Sequence, residues 1–167
     1  MKVAVLSDCH DRLDNLAWAL KWVEKIGAER VFFLGDFCAP FTLDALAEGF
    51  EGPIDGIFGN NDGDPFLLSQ VAAKYDHVNL HVPLAEITVE GKRAGFHHYP
   101  EIGRRLAESR AYDAVFSGHD HLKYIHQIEE TLWANPGELM GRLGSPSFGI
   151  WDTRDNSFSH IEWQINS

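Results

Sequence analysis

Val3-Ala4-Val5-Leu6, followed at once by Ser7-Asp8-Cys9-His10, decides how the rest of the sequence is read. Four β-favouring or small apolar residues without a polar interruption describe a strand buried on both faces, the kind that helices cover in α/β proteins. From Leu13 to Ile26 the residues Leu13, Leu16, Ala17, Leu20 and Val23 recur at helical spacing, and Gly27 supplies the stop. Val31-Phe32-Phe33-Leu34 is a second unbroken apolar run, and it too breaks into a polar loop, at Gly35-Asp36. The unit is β-α-β.

A short helix is expected from Leu43 to Glu48, then a third buried strand from Ile54 to Phe58 that ends at Gly59-Asn60-Asn61-Asp62. Pro65 sits at a helix-opening position before Phe66 to Tyr75. Strands follow at Val78 to Val82, Leu84 to Val89 and Arg93 to Phe96, with Glu90-Gly91-Lys92 turning between the last two. Such meandering implies an antiparallel sheet. One more helix, Ile102 to Ser109, precedes strands at Ala114 to Phe116, Lys123 to Ile128, Phe148 to Asp152 and Phe158 to Trp163. With no linker, repeat or low-complexity tract, residues 1–167 read as one α/β domain with two sheets, or one large mixed sheet, covered by helices.

A chain of 167 residues with 44% hydrophobic residues can enclose its own core. Lys plus Arg number 14 against 25 Asp plus Glu, a formal charge of −11, which disfavours a long nucleic-acid groove or an acidic membrane as partner. Bound cations would reverse the sign locally, so a small phosphorylated substrate stays compatible with that charge. Two cysteines, Cys9 and Cys38, are too few for a secreted disulfide framework, and no apolar stretch approaches membrane-spanning length. The expected compartment is the cytoplasm; a homo-oligomer is compatible with all of this, and the sequence does not decide it.

The polar loops after successive apolar runs carry one kind of residue: Asp8 and His10, Asp36, Asn60, His97 and His98, then His119 and His121. Loops beyond the carboxyl ends of strands gather at one sheet edge in α/β proteins, so these oxygen and imidazole donors can converge on a ligand. Each fragment alone has an ordinary reading. Asp8-Cys9-His10 is more often a solvated turn, Gly35-Asp36 a simple turn, and Gly59-Asn60-Asn61-Asp62 an Asn-rich turn with a left-handed residue. Gly118-His119-Asp120-His121 is stronger, because two histidines two apart after a strand are costly unless their nitrogens are used.

Taken in order, Asp-x-His, Gly-Asp, Gly-Asn-x-Asp, a His after a later strand and Gly-His-x-His resemble the signature of the calcineurin-like metallophosphoesterases. Asn135-Pro136-Gly137 is similar to the turn that follows in the small bacterial and archaeal phosphodiesterases of that superfamily, the YfcE-like subgroup. The resemblance implies a four-layer β-sandwich flanked by helices and a binuclear centre. Asp36 would bridge two divalent transition-metal ions, with manganese favoured and iron, nickel or zinc also suited to mixed oxygen and imidazole ligands. It implies Asp8, His10 and His121 around the first ion, and Asn60, His119 and one of the adjacent histidines around the second. A water shared by the ions would attack the phosphoester in line.

Two departures stand out. The family shows one His followed by Gly at the fourth loop, whereas this chain reads Phe96-His97-His98-Tyr99-Pro100; aligning the preceding turn favours His98 as ligand and His97 as packing. The third position of the Asn loop is Asn61, where related phosphatases carry a His that protonates the leaving group, so Asp62 or His98 becomes the candidate substitute. His77, His81, His126 and His160 lie outside the motif loops and read as packing residues. Two further readings compete. A non-catalytic protein-binding scaffold, as the retromer subunit of this fold, predicts eroded ligands. A metallo-β-lactamase-type zinc site fails because Lys123 and Tyr124 stand where its Asp and His are required.

Overall fold

In a computed structural model of the protein, residues 1–164 are described; residues 165–167, the end of the expected domain, lie outside the described residues. The first half alternates β1 (Lys2–Leu6), α1 (Leu13–Ile26), β2 (Arg30–Phe33), α2 (Pro40–Gly49), β3 (Ile54–Ile57), α3 (Pro65–Ala72) and β4 (Val78–His81). The second half runs β5 (Ala85–Val89), β6 (Lys92–Phe96), α4 (Pro100–Glu108), β7 (Ala114–Phe116), β8 (Lys123–Ile128), β9 (Thr131–Pro136), β10 (Ser147–Asp152) and β11 (Ser157–Glu162). Among the described residues no helix is long and apolar enough to cross a membrane.

Two sheets form. One has the order β11-β10-β1-β2-β3-β4, with β1 to β4 parallel and β10 antiparallel to β1; the other has the order β5-β6-β7-β9-β8. Side-chain alternation along β1 assigns the two faces of its sheet. Ala4 and Leu6 pack under α1, α2 and α3 with Leu16, Val23, Leu43, Leu46 and Leu68, while Val3 and Val5 face the second sheet. Between the sheets Phe32 lies 4.8 Å from Phe96 and 6.2 Å from Trp151, ring centre to ring centre, all three fully buried. Ala107 of α4 packs with Val115 on the outer face of the second sheet, which completes four layers, helices, sheet, sheet, helix.

Helix ends follow local chemistry. Gly27 closes α1 at φ 70, a left-handed cap that costs glycine little, with its N–H on the Glu24 carbonyl. Pro65 opens α3 behind Asp64, whose Oδ1 accepts from the Leu67 N–H at 2.9 Å. α2 begins at Pro40 rather than Leu43, because Pro at the first helical position is preorganised for that turn, and α3 ends at Ala72 rather than Tyr75.

Two expectations need correction. The later strands are not a purely antiparallel meander: β4 joins the first sheet parallel to β3, and β6, β7 and β9 run parallel to one another. The reason is α4, which crosses over between β6 and β7, and the β8–β9 hairpin, which returns the chain alongside β7. The second correction is β9 itself, which the sequence reading treats only as a turn at Asn135-Pro136-Gly137. Pro136 is tolerated because the pairing with β7 stops at Ala134, so its missing N–H breaks no bond on that side.

Candidate metal centre

Backbone pairing continues past the ends of β1 and β2 and zips their loops together. The N–H groups of Asp8, Cys9 and His10 donate to the carbonyls of Gly35, Asp36 and Asp36, at 3.1, 3.1 and 3.2 Å. The loops then turn through left-handed backbone: Asp8, His10, Asp11, Asp36, Cys38, His119 and His121 all have positive φ, seven of the eleven such non-glycine residues described. Such conformations are disfavoured for most residues and persist only where the surroundings over-determine them, as they do around ligand sites. Close approach explains two glycines. A Cβ at Gly59 would lie 2.1 Å from Asp36 Oδ1, and one at Gly118 would lie 2.0 Å from Ser7 Oγ.

Asp36 sits at the centre, 1% exposed. Its Oδ1 accepts from the Asn61 backbone N–H and its Oδ2 from the Asn61 side-chain amide, both at 2.8 Å. The same Oδ2 lies 3.4 Å from His10 Nε2 and 3.6 Å from His98 Nε2, so one oxygen faces two imidazoles. Asp8 is fully buried; its Oδ2 accepts from the Ser7 hydroxyl at 2.5 Å and from the His119 N–H at 3.0 Å. Its Oδ1 and His10 Nε2 have no hydrogen-bond partner among the described residues.

The tautomers can be read from the far nitrogens. His98 Nδ1 lies 2.8 Å from the Leu34 carbonyl, so it carries the proton, and burial lowers the ring's pKa and keeps it neutral. Its Nε2 is therefore a lone pair, and it faces another acceptor, Asn60 Oδ1, at 2.9 Å. His119 Nδ1 lies 2.8 Å from that same oxygen. His121 Nδ1 lies 2.5 Å from Glu138 Oε2, which leaves Nε2 facing Asp8 Oδ1 at 3.5 Å. Burial lowers the pKa of His10 as well. Lone pairs pointed at lone pairs across a buried space are the arrangement a cation resolves. Two groups have donor atoms mutually within 4.8 Å: Asp8, His10 and His121, and Asp8, Asp36 and His98.

The structure thus brings together Asp8, His10, Asp36, Asn60, His98, His119 and His121. His97 turns away, accepting the Tyr99 N–H on its Nδ1 at 3.1 Å. The expected proton donors are placed differently. Both oxygens of Asp62 accept from backbone N–H groups, of Gly59 at 2.6 Å, Cys38 at 2.9 Å and Asp36 at 3.2 Å, so Asp62 shapes the loop, while burial raises its pKa against those bonds. His98 is 1% exposed and its only proton is committed to Leu34. Cys38 Sγ lies 3.4 Å from His10 Nδ1, yet burial pushes the thiols of Cys9 and Cys38 up to about 12, so neither is a thiolate at neutral pH.

Glu138 is the residue that motif reading missed. It is 1% exposed, orients His121 through Oε2, and with Oε1 accepts from the N–H groups of Leu143 and Gly144, both at 2.7 Å. Its signal in the sequence is position alone, directly after Asn135-Pro136-Gly137. Replacing it with Gln puts an amide N–H or a weaker acceptor against His121 and should lower metal affinity about 10- to 100-fold in competition with a chromophoric chelator. Unchanged affinity would remove Glu138 from the centre.

Burial pushes Asp8 up to about 7, against the lowering influence of the Ser7 hydroxyl and His121. Through the window from the ordinary carboxylate value to about 7, the native state keeps a proton that the unfolded chain has lost. In metal-free protein Asp8 therefore contributes on the order of a few kcal/mol of stability below that window, lost as the pH rises through it. Urea unfolding of wild type and Asp8→Asn at about pH 4 and about pH 8 isolates this contribution: the wild type should lose more stability, or gain less, than the variant between the two, and equal changes contradict the assignment.

Comparison with known proteins agrees with the geometry. The calcineurin-like phosphoesterase superfamily domain matches residues 1–156. Phosphodiesterase MJ0936 of Methanocaldococcus jannaschii is 28% identical over 164 residues, covering 96% of this chain and 98% of that protein. The structure of an archaeal phosphodiesterase superposes with a TM-score of 0.90 at 26% identity, over 98% of this chain and 100% of the other. That of YfcE, a phosphoesterase from E. coli, shares the fold with a TM-score of 0.70 at 20% identity, over 98% and 100% of the two chains. With the profile spanning almost the whole sequence and its motif residues gathered at one edge of the sheets, this chain belongs to the calcineurin-like phosphoesterase superfamily.

Proposed function

We propose that this chain is a metal-dependent phosphodiesterase that hydrolyses a small phosphoester at a pair of divalent transition-metal ions bridged by Asp36. The observation that carries the reading is the inward convergence of unpartnered or mutually opposed acceptors: Asp8 Oδ1, His10 Nε2, and the Nε2 lone pairs of His98 and His121. Asp8, His10, Asp36 and His121 would hold one ion; Asp36, Asn60, His98 and His119 would hold the other. The position of Asp36 Oδ2 between His10 and His98 suits a bridging carboxylate. Mixed oxygen and imidazole donors favour manganese, with iron, nickel or zinc accommodated by the same set. When bound, such ions supply a water of lowered pKa as nucleophile and neutralise charge growing on the phosphoryl oxygens.

The chain's own groups do the positioning. Glu138 fixes the ring of His121, Leu34 fixes that of His98, and Asn61 holds Asp36 from two sides. Asn61 carries no titratable proton, and Asp62 and His98 are committed elsewhere, so weakly basic leaving groups are favoured. The two cysteines are unpaired, which supports a reducing setting such as the cytoplasm. A protein-binding scaffold of this fold gains no support from the site, where every expected ligand type is present and within reach.

Metal-stripped protein reloaded with manganese should turn over bis(p-nitrophenyl) phosphate, lose that activity to chelator, and regain it on adding manganese. Asp36→Asn should lower kcat/KM by on the order of a thousandfold. Turnover that persists in excess chelator, or in Asp36→Asn at the wild-type rate, contradicts the proposal.

A further inference from the structure

Eleven large apolar side chains are exposed among the described residues, and only Trp22, Val82 and Ile125 stand apart from the loops of the centre. The other eight follow the ligand-bearing loops closely. Leu13 comes after Asp8-Cys9-His10, Phe41 after Asp36, Phe66 after Asn60 and Asp62, Tyr99 directly after His98, and Leu122 directly after His121. Leu143 lies on the segment whose N–H donates to Glu138. These are not marginal exposures: Phe66 and Leu143 are each 73% open and Leu122 is 61%. Tyr99 reaches the centre itself, its ring 4.7 Å from that of His119 and 5.3 Å from that of His98, edge to face.

Single exposed apolar residues are ordinary, whereas eight of eleven falling on or just after the loops that gather at one sheet edge, in a chain of charge −11, are not. Apolar side chains offer the base and sugar of a nucleotide no hydrogen bonds, and a polyanion would be repelled by the chain as a whole. We infer that the rim selects phosphodiesters whose flanking groups are uncharged and apolar, alkyl or aryl, with Tyr99 forming the wall nearest the phosphate. The inference rests on the phosphodiesterase reading above and names the substrate class for that site. Catalysis without a side-chain proton donor fits the same class, since an aryl oxygen leaves without protonation.

The test uses manganese-loaded full-length protein and four phosphodiesters that share p-nitrophenolate as leaving group and differ only in the other substituent: methyl, hexyl, phenyl and thymidine-5′. Half-burying five extra methylenes against the rim predicts kcat/KM for the hexyl ester roughly thirtyfold above the methyl ester, with the phenyl ester close behind and the thymidine ester no better than methyl. The double variant Phe66→Ser/Leu143→Ser should pull the hexyl-to-methyl ratio toward one; both side chains are exposed, so folding is not at stake. Ile125→Ser, on β8, should keep the wild-type ratio. A flat series, or preference for the thymidine ester, overturns the inference while leaving the phosphodiesterase reading intact. Rim variants that keep the ratio but dissociate an oligomer on gel filtration also overturn it, and assign the rim to contact between copies of the chain. No turnover of any ester sinks the parent reading, and this one with it.

Discussion

One buried carboxylate sets the terms for this molecule. Asp36 is withdrawn from solvent between two imidazoles and held by both nitrogens of Asn61, in a loop forced through left-handed backbone. Burying a carboxylate without a full charge partner is unfavourable, and Asp8 beside it raises the cost. A sequence selected for stability alone would not keep two such groups with unpartnered or opposed acceptors around them. The parallel strands, the zipped loops after β1 and β2 and the glycines at 59 and 118 are the means by which the fold imposes that arrangement.

The supporting groups matter as much as the donors. The free nitrogens of His98 and His121 are aimed by what their other nitrogens bind, a backbone carbonyl in one case and a buried glutamate in the other. Asn135 ties the loop carrying His119 and His121 to β9, its amide on the Gly118 carbonyl and Asp120 Oδ1, and His160 reaches the Asn135 carbonyl in turn. Asp62 performs the analogous task for the loop carrying Asn60.

Much of this was legible because the chemistry is periodic. The apolar runs ending in donor-bearing loops read directly as buried strands meeting at one edge, and α1 appeared from Leu13 to Ile26 as expected. What stayed hidden was set by contacts distant along the chain. β9 looked like a turn because Asn135 and Pro136 are poor strand residues, and only the short reach of β7 explains why they fit. Glu138 has no motif; its role exists only because the β9 loop folds back on His121. Asp62 was a candidate proton donor on paper, and in the fold its oxygens accept from three backbone N–H groups, a commitment that sequence spacing does not express. The choice between His97 and His98 lay in which ring points inward, and His98 is the one that does.

An apolar rim around a polar, electron-rich centre, with Asn61 standing where a titratable proton donor was expected, underlies the proposed catalyst, which would rely on metal ions for charge and on its surface for selection. Its central claim is spatial, that Asp36 joins two cations. Anomalous diffraction from crystals of the manganese-loaded protein measures this directly. The account predicts two peaks roughly 3.5–4 Å apart, both in contact with the Asp36 carboxylate; a single peak, or peaks that leave Asp36 uncoordinated, would contradict it.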